Sequence, residues 1–184
     1  MSNKAANVTV GKPKIGGAVF RAPLGTTLPT DAKSELDPAF VNVGYISEDG
    51  VHNNLSKDTE KKKAWGGDNV LNVKSGWTDD FMFAMLEALN PDVLKTVHGT
   101  KNVTGDLESG IEVDVNGDED EEFVWVFDMI MRGNVLKRMV VFDASVTNVD
   151  EIVYNDTDPV AYAVTVSAIP NAAGSSHKEY IEKK

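Results

Sequence analysis

Period-two alternation of apolar and polar residues is the feature that most constrains this chain, because only a strand with one dry face and one wet face needs it. Between 161 and 168, Tyr162, Val164, Val166 and Ala168 share one face, while Ala161, Ala163, Thr165 and Ser167 share the other, which is small and uncharged. From 123 to 131, one face carries Phe123, Trp125, Phe127, Met129 and Met131, and the other carries Val124, Val126, Asp128 and Ile130. That second face is too apolar to be left in water. Ile111-Glu112-Val113-Asp114-Val115 alternates apolar with acidic residues in the same way. Further strands are expected at 16–21, 40–46, 70–74, 80–86, 135–142 and 145–149, with turns at Asn116-Gly117, Gly133-Asn134 and Asp156-Thr157-Asp158-Pro159.

One helix is signalled, over 90–98. Asn90 can cap it, Pro91 suits its first turn, Asp92 complements its dipole and Gly99 can end it. So short a helix must dock Val93, Leu94 and Val97 on a sheet to persist. The expected fold is therefore mainly β: two packed antiparallel sheets, sandwich- or barrel-like, with one short flanking α-helix. With 184 residues and 41% apolar content, the chain suits a single domain spanning 1–184. To this fold the chain adds an extended N-terminal arm over 1–38, which includes the first strand, and a long polar loop over 47–64.

Composition narrows function mostly by exclusion. There is no cysteine, so no disulfide, thiolate metal site or cysteine nucleophile is available. No signal-peptide core or membrane-length apolar run is present, and no membrane association is expected. The three histidines, His52, His98 and His177, fall in a loop, at a helix end and near the C-terminus, a spacing that suggests no shared metal. Asp114-Val115-Asn116-Gly117-Asp118 starts like a calcium loop but then places Glu119 where glycine is required and Trp125 where a bidentate acid is required. Nucleophile-elbow, zinc-protease and phosphate-loop motifs are absent. Acidic pairs such as Asp79-Asp80 are expected to be solvated surface. No enzyme, catalytic residue, metal or cofactor is expected.

Charge is unevenly spread within a net of −11. No basic residue lies between Lys101 and Arg132, whereas 106–122 holds nine acids. Such a block does not grip phosphates. The densest basic cluster is Lys61-Lys62-Lys63, and the longest acidic run is Asp118-Glu119-Asp120-Glu121-Glu122. Pairing of these two runs between copies would orient an assembly, whereas two solvated loops would leave no such mark. Trp65, just before Gly66-Gly67, is expected to close the core beneath the loop, with anchoring against a neighbouring subunit as the alternative.

Several local patterns go together with this layout: Gly44-Tyr45-Ile46-Ser47-Glu48-Asp49-Gly50, Ala64-Trp65-Gly66-Gly67, and Glu87-Ala88-Leu89-Asn90 followed by Val93-Leu94-Lys95. Together with the flanks at 22–31 and 90–99, the chain resembles the major tail tube proteins of long, non-contractile-tailed bacteriophages. The resemblance implies a two-sheet β fold with one helix, self-assembled into homo-hexameric rings stacked around a tape measure protein. It implies tail tip and tail terminator proteins as further partners, and a lumen through which DNA passes without specific binding. The place of such a protein is the virion tail, after assembly in the host cytoplasm. A monomeric β-sandwich binding or adhesion module is an alternative, as is another tail component of similar fold, a distal tail or terminator protein.

Overall fold

The computed structural model describes residues 3–14, 16–117 and 121–184. Its strands are β1 (Gly11–Pro13), β2 (Val19–Pro23), β3 (Val41–Asn42), β4 (His52–Lys63), β5 (Asn69–Met85), β6 (Val103–Thr104), β7 (Glu112–Val113), β8 (Glu122–Met131), β9 (Val135–Val149), β10 (Tyr162–Ala168) and β11 (His177–Lys183). One α-helix, α1 (Pro91–His98), lies between β5 and β6. No helix among the described residues is long and apolar enough to cross a membrane.

The mainly antiparallel β expectation with one helix holds, with one refinement. Nine strands form a single hydrogen-bonded sheet in the order β3-β2-β8-β9-β10-β5-β4, with β1 added to β8 and β11 to β9; β6 and β7 make a small separate pair. β9 joins what would otherwise be two layers. Its first half, 135–141, pairs with β11, and its second half, 144–149, pairs with β10. The change of partner falls at a bulge, where Phe142 and Asp143 lie in β9 between the paired Val141 and Ala144. An extra residue of this kind bends a strand and lets it pass from one layer to the next.

The sheet closes over its own aromatic core. β5 and β8 are separated by two strands, yet Phe81 stacks on Phe127 with centroids 4.8 Å apart, and Phe83 meets Trp125 edge-on at 5.9 Å. Val93 and Leu94 of α1 join this cluster. The helix is held as expected, with Asn90 accepting from the Asp92 amide at 2.9 Å. Arg21 of β2 secures it by donating to Thr96 Oγ1 at 2.5 Å and stacking over Phe123 at 4.3 Å; burial pushes its guanidinium pKa down.

The other face of β8 is also dry. Val124 and Val126 are buried, as are Val140 and Leu136 of the neighbouring β9. On this face Arg138 is fully buried and makes two bonds to Asp128, at 2.6 and 2.8 Å, which Lys14 also reaches at 3.0 Å. Arg138 then donates to the carbonyls of Asp31 and Ser34, and Glu182 accepts from the Ala32 amide. Part of the expected N-terminal arm is therefore pinned across the sheet, because a buried guanidinium must spend all its donors.

Several boundaries differ from the expectations. The expected strand over 40–46 pairs with β2 only at Val41 and Asn42, because Gly44, at φ 79°, turns the chain there; a Cβ at that position would collide with the Glu87 carboxylate. The separate strands expected at 70–74 and 80–86 are one, β5, and those at 135–142 and 145–149 are one, β9. Of the 111–115 strand only β7 remains. The most consequential difference is at 47–64, which is not a long polar loop: most of it is β4, paired with β5 along its whole length.

Candidate assembly surface

β4 and β5 form a hairpin whose root is built into the sheet and whose far part is not. Residues 80–85 of β5 pair with β10 on one side and, up to Met82, with β4 on the other. Beyond that root, nine residue pairs, from Leu55 opposite Asp79 to Lys63 opposite Asn69, join the two strands with no third strand beside them among the described residues. At roughly 3.3 Å per residue this is an arm about 30 Å long. Among residues 52–75 every side chain but Ser56 is exposed.

The arm's root is fastened by a polar cluster. Asp79 is 1% exposed; Asn53 Nδ2 donates to it at 2.7 Å, Ser176 Oγ bonds its other oxygen, and His177 Nδ1 lies 2.5 Å from that same oxygen. Asp79 is therefore not the solvated acid expected of the Asp79-Asp80 pair. Its place on the Phe81-Phe83-Met85 face was the available signal, and partners 26, 97 and 98 residues away make its burial tolerable. The cluster welds β4, β5 and the start of β11 together where the arm leaves the body.

The predicted site residues fall into three groups. Lys61, Lys62 and Lys63 are exposed near the arm's end, where Lys62 pairs with Glu60 at 2.7 Å. Residues on directly opposed positions share a face, which puts Lys57, Lys61 and Lys63 on one side and Lys62 on the other. Trp65 sits in the connecting turn and is completely exposed, so it does not close the core. The turn brings Gly67 N to Ala64 O at 3.0 Å, with Gly66 and Gly67 at positive φ, and it carries the ring away from the sheet.

Of the acidic run, Asp118, Glu119 and Asp120 lie outside the described residues. Glu121 accepts from the Thr100 amide and hydroxyl at 3.1 and 2.6 Å. Glu122 opens β8 near Asp143, whose carboxyl is pushed up, first by burial and then by the charge of Glu122. One Asp143 oxygen is buried without a hydrogen-bond partner. Among the described residues no ion pair joins Lys61, Lys62 or Lys63 to Glu121 or Glu122 within the chain.

The histidines do not converge either. His52 is exposed at the start of β4, His98 packs edge-on against Tyr162 with its pKa lowered by burial, and His177 belongs to the Asp79 cluster. Among the described residues no group of three or more acids and histidines is placed to hold a metal.

A family model described as phage tail tube protein matches residues 3–184 of the chain. No curated protein matches it.

Proposed function

From membership of the phage tail tube protein family, to which this chain belongs, we propose that its copies form six-membered rings stacked into the tail tube through which DNA leaves the particle. The observation that carries this function is the arm. A hairpin of two strands is marginal by itself in water; among the described residues no strand pairs with the long outer edge of β4, and Leu55, Val70, Leu71 and Trp65 are exposed. A second copy is the natural cover for such an edge.

Charge supports the same function. The arm, 52–78, has five lysines against three acids, or +2, which leaves −13 for the remainder of the chain. Arms are thus drawn to the bodies of other copies, and Lys61, Lys62 and Lys63 facing the Asp118, Glu119, Asp120, Glu121 and Glu122 run of a neighbour is one such pairing. An acidic body repels phosphates, so DNA slides through without adhering. Within the tail the protein acts as a structural component, with the tape measure protein inside the tube and tip and terminator proteins at its ends. Assembly takes place in the host cytoplasm.

A sugar- or ligand-binding module would need a platform of exposed aromatics. Trp125 is fully buried, Trp77 is half-buried beneath Lys74, and Trp65 is exposed at the end of the arm, so the three tryptophans share no platform. Negative-stain electron microscopy of the purified chain over a concentration series tests the proposal. Hollow tubes or six-membered rings are expected; monomers at every concentration would contradict it.

A further inference from the structure

Trp65 carries its ring into water at the end of the arm, about 30 Å from the body. An indole so displayed loses the burial that aromatic rings ordinarily gain, and tryptophan is the residue type most enriched at the energetic centres of interfaces. It lies within a few residues of Lys61, Lys62 and Lys63. A complementary surface would have a small apolar seat and an acidic margin.

Such a surface lies on the outer face of the sheet, near the arm's root. Ala84 of β5 and Ala163 of β10 are directly opposed, and the next pair on that face is Met82 with Thr165. Two alanines side by side leave a notch between larger neighbours. These residues line a shallow recess together with Asp49 and Asp150, both exposed. Met82 is 37% exposed, and a thioether is a favourable neighbour for an aromatic ring.

We propose that Trp65 of one copy seats in the Ala84–Ala163 notch of the next copy, with lysines of the arm against Asp49 and Asp150. The inference rests on the self-assembly proposed above and names the contact that carries it. Tip and notch are different surfaces of one chain, separated by the length of the arm, so the contact is head-to-tail. Each joined pair still offers one free tip and one free notch, and the contact repeats until a ring closes or a filament grows.

Two variants test this. Trp65→Ser removes the anchor at a site with no packing to lose, and Ala163→Trp fills the notch. Sedimentation velocity should show each folded as judged by circular dichroism, with assembly needing at least about tenfold more protein than wild type. Because the chain has no cysteine, Ala64→Cys on one copy and Ser47→Cys on another provide a direct probe. Mixed and oxidised, they should give a covalent heterodimer, and adding Trp65→Ser to the first should abolish it. Assembly of Trp65→Ser at the wild-type concentration, or absence of the crosslink in assembling protein, overturns the proposal and leaves self-assembly standing. A wild-type chain that never assembles overturns both.

Discussion

Arg138 is the residue on which the N-terminal segment most depends. Its side chain spends its donors on Asp128 and on the carbonyls of Asp31 and Ser34. Arg138→Met strips the partner from a buried carboxylate and should lower stability by about 3 kcal/mol in urea denaturation. A double variant with Asp128→Leu should recover part of that loss, since no charge then remains buried. Asp143 offers a pH test. Its raised pKa means the folded state penalises the ionised form, a penalty present above the folded pKa and relieved as pH falls through it. Asp143→Asn should therefore raise the urea midpoint at neutral pH, by a margin that shrinks on acidification. Asp31 and Asp106, lowered chiefly by backbone hydrogen bonds, act oppositely: they add stability above the unfolded carboxylate pKa and lose it as pH falls through their folded values. A margin for Asp143→Asn that grew on acidification would contradict the assignment. Residue identity alone did not reveal these roles. Asp79, Asp128 and Asp143 look alike in sequence and differ only in the long-range partners the fold brings to them.

The elements most legible in sequence were those with a face packed on the aromatic core. β8 and β10 announce themselves by alternation because the aromatic core selects every second residue, and α1 does so through its cap. Asn90→Ala should cost about 1 kcal/mol in thermal or urea unfolding, by orphaning the Asp92 amide; no change would mean the helix is fixed by packing alone. β4 was illegible for the converse reason. His52–Lys63 has no buried face, so no apolar period marks it, and its strand form comes from backbone pairing with β5. β11 (His177–Lys183) was missed likewise, being a polar edge strand whose pairing with β9 lies in residues 135–141. The bulge at Phe142 and Asp143 joins two expected strands into one, because hydrophobic period reports burial and not where a strand changes partner.

At the scale of the whole molecule, a body of −13 carries an arm of +2 that no other strand among the described residues covers. The basic cluster, Lys61, Lys62 and Lys63, was legible as a patch in search of a partner. Its position at the end of a projecting hairpin was not, since that depends on β5 running past the end of β10. Removing the arm separates assembly from folding, because everything beyond the root contributes nothing to the core. The most direct measurement excises 58–76 and links Lys57 to Trp77 through an Asn-Gly turn, which suits a two-residue hairpin, then compares this chain with wild type by electron microscopy and sedimentation velocity. The expected result is a folded monomer at concentrations where the wild type forms rings or tubes; rings or tubes from the armless chain would contradict the claim that the arm joins the copies.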